Sequence, residues 1–279
     1  MKKQIMSGFG KSNWIVAGIL GVSLVYSAQA GVPFNNLQGV GGAAFNPLAY
    51  PAGQNKAENS DSVLSNPQFG AWYVNLSDVD VDWTAIGVAE TIGGRLELSY
   101  GYEVISPAAQ NIKKSDLGAK LLLVPENLGG QAYVPAVSVG TIWKKTDNVA
   151  EGVDDNAFDY YLVATKLVTQ LPLPVLLSGG ILNTKEQVTG VFGYNDNSDN
   201  TFFGNIDVLP LSNLAVGFEY KQGASYSDFN NADYWDAHVA WFANKNLSLI
   251  GAYVSAGDSK STTEAGLGDG VVLSAQYAF

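Results

Sequence analysis

The chain has 279 residues, a net charge of −11, no cysteine and one histidine. The acidic balance argues against nucleic acid or anionic lipid headgroups as partners, and the missing cysteine excludes disulfides and a lipid-carrying thiol. With 47% hydrophobic residues and 11% aromatics, the apolar side chains still need somewhere to go.

Residues 1–30 read as a secretory leader. Lys2, Lys3 and Lys11 make a basic start, Trp14 to Tyr26 an apolar stretch, and Ala28-Gln29-Ala30 a small-x-small cleavage site. The apolar stretch is shorter than the roughly 20 residues of a membrane helix. Without the three lysines the net charge of 31–279 falls to −14. Residues 31–67 follow as an N-terminal segment ahead of any strand. Its first part, "GVPFNNLQGVGGAAFNPLAYPAG", is apolar and rich in Gly and Asn. Its apolar density favours a plug inside a lumen over a disordered tail.

From Gln68 the hydropathy alternates with period two. Twelve runs of about ten residues each, the length of a membrane-spanning strand, are expected as strands: 68–76, 81–91, 95–104, 115–124, 132–143, 158–169, 173–183, 201–209, 213–221, 233–243, 246–256 and 270–279. After the hairpin at 77–80, short turn-forming breaks alternate with longer polar ones. That alternation, an even strand number and one apolar face predict an all-β, closed antiparallel transmembrane barrel over 68–279 in an outer membrane. A soluble β-domain with one buried face fits the alternation alone, but not the pattern of connections. Trp72, Trp143, Tyr220, Trp235, Trp241 and Tyr277 are expected to form lipid-facing aromatic girdles. Phe279 is expected to end the last strand facing outward, paired with the first strand near Trp72.

The opposite parity is expected to line the lumen with Glu90, Arg95, Glu97, Lys120, Lys166, Asp207, Glu219, Lys221, Asp236 and His238, a nearly balanced wall. His238 beside Asp236 could serve as a catalytic base, with Ser248 as nucleophile. A satisfied histidine bridging Asp236 and Glu219 is the favoured reading, so no catalytic residue is assigned. Asp78, Asp80 and Asp82 in "SDVDVD" are weak candidates for a divalent cation; the calcium-loop pattern fails at Trp83 and Ala89. Loop acids Asp147, Glu151, Asp154, Asp155, Asp196, Asp199, Asp258 and Asp269 could bind ions that bridge lipopolysaccharide. No cofactor motif is present.

The stretches "GVPFNNLQGVGGAAFNPLAYP", "RLELSYGYEV", "LGAKLLLVPEN", "DYYLVATKLVTQLPLPVLLSGG" and "GDGVVLSAQYAF" resemble a family of Gram-negative outer-membrane proteins known by a domain-of-unknown-function label (DUF3034-like). The resemblance implies an outer-membrane barrel and brings no catalytic residues with it. Three functions stand: a porin-like passive channel or transport protein for small solutes, an envelope-accessory barrel acting with surface polysaccharide, and a hydrolase using His238. Expected partners are outer-membrane lipid, lipopolysaccharide and the barrel insertion machinery, which would read the strand ending at Phe279.

Overall fold

The computed structural model describes residues 34–52, 62–107 and 111–279. The expected leader at 1–30 and the polar stretch 53–61 lie outside them. Twelve strands follow in chain order: β1 (Gln68–Leu76), β2 (Val81–Ile92), β3 (Leu96–Ser106), β4 (Ile112–Val124), β5 (Ala136–Thr146), β6 (Asn156–Val168), β7 (Val175–Glu186), β8 (Tyr194–Leu211), β9 (Leu214–Lys221), β10 (Tyr234–Phe242), β11 (Leu247–Ser255) and β12 (Asp269–Ala278). Each strand pairs antiparallel with its neighbours in sequence. β1 closes the barrel on β12, from Gln68 opposite Ala278 to Leu76 opposite Gly270.

Closure leaves no strand edge unpaired, which is the condition for a sheet to cross a bilayer. The outer face suits that solvent. Ile86, Leu98, Leu117, Leu162, Phe202, Val239 and Leu273 are all exposed on it, each alternating with a buried neighbour along its strand. Trp241 and Tyr277 stand among them.

Connections at 93–95, 125–135, 169–174, 212–213 and 243–246 lie at the end that carries Gln68 and Ala278, here the termini rim. The opposite loop rim carries 77–80, the ends of β3 and β4 at Ser106 and Ile112, 147–155, 187–193, 222–233 and 256–268. The short–long alternation breaks once, because 125–135 is longer than 107–111. The polar residues around Lys113 and Lys114 extend β4, while 132–135 stay outside β5.

Two expectations, the face of Trp72 and the neighbour of Phe279, change. Trp72 points inward and is buried, with its Nε1 donating to the Asn35 carbonyl at 2.9 Å. β1 is apolar on both faces, and its inner face (Trp72, Val74, Leu76) packs in an interior core with Phe34, Ala44, Val81 and Trp83. Phe279 lies against Phe69 and Tyr277, with ring centroids 5.6 and 4.8 Å apart, whereas Trp72 sits opposite Ser274. The main chain of Phe279 donates to the Pro67 carbonyl, and its own oxygen accepts from the Asn66 amide.

Residues 34–52 fill the lumen as a folded-back loop. Asn35 meets Gln68 and Gln276 near the termini rim. Gln38 reaches Glu186 at the far end of β7. Ala52 returns to Glu97 and Thr91, close to the 93–95 turn. The loop therefore enters and leaves at the same rim. It fits closely: Gly39 takes φ +81°, and a Cβ there would lie 2.5 Å from the Tyr100 carbonyl, so only glycine is accommodated.

Candidate functional site: the plugged lumen

The wall grips the plug chiefly by its backbone. Glu97 accepts from Gly41 N at 2.9 Å and Ala52 N at 2.6 Å, joining both arms of the loop. Its partner Lys120, at 2.8 Å, donates to the Gly41 carbonyl at 2.7 Å. On the other side Glu219 accepts from three successive amides, Ala44, Phe45 and Asn46, at 2.6, 3.0 and 3.3 Å. Thr165 and Ser138 hold the main chain of Ala49. A carboxylate facing several backbone N–H groups makes strong, charge-assisted hydrogen bonds. Tyr50 lies near the termini rim, and its burial and then Glu126 beside it push its hydroxyl well above the usual range.

Above the plug, a belt of buried ion pairs ties β3 to β4 and joins β5, β6, β7 and β9. Lys114 pairs with Glu103 at 2.9 Å and lies 4.0 Å from Asp116. Lys144 bridges Asp159 and Glu186, each at 2.5 Å, and Lys221 reaches the other Glu186 oxygen at 2.9 Å. Tyr226, on the loop after β9, donates to the carbonyls of Thr184 and Glu186; burial, then Glu186, holds its hydroxyl well above the ordinary value. Two cavities lie beside this belt, each of about 10 Å³, which is room for about one water.

A third group sits on β8–β10. The His238 ring is held on both sides, Nδ1 by Asp236 Oδ1 at 2.6 Å and Nε2 by Asp207 Oδ1 at 2.7 Å. Two carboxylate acceptors on one imidazole suit the doubly protonated ring, which donates from both nitrogens. Gly217 leaves the room for this: a Cβ there would collide with both Asp207 and His238.

The expected lumen residues distribute as follows. Glu97, Lys120, Asp207, Glu219, Lys221, Asp236 and His238 face the interior. Glu90 does not; it stands on the outward parity of β2, opposite Leu98. Lys166 is also on the outward parity, opposite Leu177, and turns at the termini rim to Glu126 at 2.7 Å. Arg95 lies in the 93–95 turn. Both misplaced charges, Glu90 and Lys166, sit near strand ends, where the outer face meets water and charge no longer implies the inside. Glu103, Lys114, Asp116, Lys144, Asp159 and Glu186 are interior residues missing from the expected set. The wall is consequently not balanced. Eight carboxylates face four lysines and His238 among the described residues.

His238 bridges Asp236 with Asp207 rather than with Glu219. Ser248 lies on β11 opposite Phe242, four rungs from Ala252, the rung of His238, so the two do not form a nucleophile–base pair. Asp78, Asp80 and Asp82 do not converge: Asp82 is held by Tyr73 and Asn75, while Asp78 accepts from Asp269 N. Among the described residues no cluster of three His, Cys, Asp or Glu side chains is arranged to hold a metal ion.

With this geometry in view, the family model described as "Protein of unknown function (DUF3034)" matches residues 31–276. The chain belongs to that family. No curated protein matches it in sequence. Among solved structures, it is similar to the NanC porin at 10% identity and TM-score 0.50, covering 76% of this chain and 98% of that one. It is also similar to the KdgM porin (13%, TM-score 0.49, 77% and 99%) and to the outer membrane protein Omp33 of Acinetobacter baumannii (10%, TM-score 0.42, 78% and 100%). At such identities the likeness speaks to fold. This DUF3034 protein has a porin-like, outer-membrane type of barrel with an occupied interior.

Proposed function

We propose that the protein is a passive outer-membrane channel for small solutes, held shut by its own residues 34–52. The leader is removed after Ala30 and the termini rim faces the periplasm. The observation that carries this reading is the attachment of the plug: it is held by hydrogen bonds to wall carboxylates and crosses no strand ladder. Such contacts, made to charged partners, exchange with water at a net cost of about 1.5–3 kcal/mol each. Withdrawal of the plug leaves a lumen lined by charged and polar groups, the lining of a water-filled pore.

Planar-bilayer recording tests this. Native protein should conduct little, and Gly39→Leu, which cannot seat the plug, should conduct more. If both stay silent while the barrel is folded, the channel reading fails. A barrier-type or accessory barrel in contact with surface polysaccharide is then the better account, and the buried ion pairs that tie β3 to β4 and join β5, β6, β7 and β9 favour that second reading. A hydrolase using His238 has least support, since both ring nitrogens are engaged by aspartates.

Lipopolysaccharide is the proposed lipid partner at the loop rim. The insertion machinery would read the terminal strand ending on Phe279.

A further inference from the structure

All four interior lysines serve one part of the wall. Lys120 pairs with Glu97, Lys114 with Glu103 and Asp116, Lys144 with Asp159 and Glu186, and Lys221 with Glu186. Across β8–β10 stand three carboxylates, Asp207, Glu219 and Asp236, with no lysine or arginine in ion-pair contact among the described residues. His238 serves two of them. Glu219, the cross-strand partner of Asp236, is left to the Asn205 amide and to the plug. Three consecutive plug amides point at it. Successive N–H groups of this kind act as a partial positive charge, so the plug is the counter-charge of this wall. Asp236 is fully buried, and its Oδ2 has no hydrogen-bond partner.

We propose that Glu219, with Asp236 and Asp207, is a cation-binding site of the lumen, occupied in this structure by the N–H groups of residues 44–46 and suited to N–H-bearing cations of the alkylammonium and guanidinium type. The carboxylates do not converge as a metal-ligand set, and the present occupant binds through N–H donors. A solute with the same donors and a full positive charge competes for the same oxygens. When residues 44–46 leave, Glu219 loses three donors at once, and the bare carboxylate draws cations and repels anions. The site is argued from the wall and plug alone; its consequence for selectivity rests on the channel reading.

Two measurements test the proposal separately. The chain has no cysteine, so Phe45→Cys places the sole thiol on the plug beside Glu219. Ethylammonium chloride should speed maleimide labelling of that thiol relative to sodium chloride at equal ionic strength. The displaced population about doubles when the cation concentration equals its Kd. Glu219→Gln in the same background should abolish the difference. Equal rates in both salts, or a difference that survives Glu219→Gln, would overturn the site. In bilayers, Gly39→Leu under a salt gradient should show a reversal potential of cation selectivity, and adding Glu219→Gln should cut the permeability ratio several-fold. An unchanged ratio overturns Glu219 as the selectivity group. Silence in the bilayer removes the channel reading, and the labelling result still decides the site.

Discussion

Glu97→Gln is the sharpest perturbation of the plug. Glu97 is fully buried and accepts from three donors: Lys120 Nζ, Gly41 N and Ala52 N. Glutamine keeps one acceptor oxygen and places an NH2 group where Oε2 meets both Lys120 and Ala52. Breaking one partner of a buried ion pair costs about 3–5 kcal/mol, and an orphaned buried N–H about 1–3 kcal/mol. The two overlap, since the same oxygen serves both donors, so we take about 4 kcal/mol, or roughly a thousandfold in an equilibrium constant at 1.4 kcal/mol per decade. Two assays divide that loss. Heat-dependent mobility of the folded band on a gel reports the barrel. Chymotrypsin cleavage after Phe45, which Asn46 follows, reports the plug. The single variant should lose in both. Adding Lys120→Met removes the stranded charge, so the double variant should regain most of the barrel's thermal resistance while the plug stays cleavable. A double variant as unstable as the single would refute the uncompensated-charge argument. A single variant with a plug as protected as the native one would refute Glu97 as its clamp.

Trp72→Phe should cost little, about 0.5–1.5 kcal/mol, because the Asn35 carbonyl keeps its bond from Gln276; Trp72→Ala should cost about 3–5 kcal/mol, both read by urea unfolding. His238→Leu strands Asp236 and Asp207 without their shared partner and should destabilise by about 3–5 kcal/mol, with the loss appearing in unfolding midpoints. At the loop rim, hydrogen bonds from Lys145 and then Asn156 hold the Asp155 carboxyl below its ordinary value. A depressed folded value means the contribution is present above the unfolded carboxylate range, near pH 4, and fades as pH falls through the folded value. Asp155→Asn should therefore remove a small part of the acid sensitivity of melting and leave the rest of the profile alone; an identical acid limb would contradict the assignment.

The strand count, order and closing pair were legible because each strand crosses an apolar medium with one face, and that face imprints period two. Legibility failed at strand ends. β4, β5 and β7 run further toward the loop rim than their hydropathy indicates, and Lys114, Lys144 and Glu186 lie in those polar extensions. Parity carried past the last apolar residue would have found them. Glu103 was already on the correct parity of β3 and needed only to be counted. Trp72 departs from its expected face for a different reason. An open pore makes inward positions polar, but a lumen packed with Phe34 and Ala44 offers an apolar inside as well. The plug itself was visible as apolar density in the first part of 31–67, of which 34–52 fill the lumen. Its contacts with Glu97 and Glu219 were not, because a carboxylate that binds main-chain amides leaves no pairing signal in the sequence of its partner.

The plug enters and leaves the lumen at one rim. It is not threaded through the cylinder, so no strand pair has to open for it to come or go. β1 can close on β12 in the bilayer first, and the interior can be loaded afterwards from the side where the chain begins. Closing the wall and filling its interior are then topologically independent, since neither requires a strand pair to open.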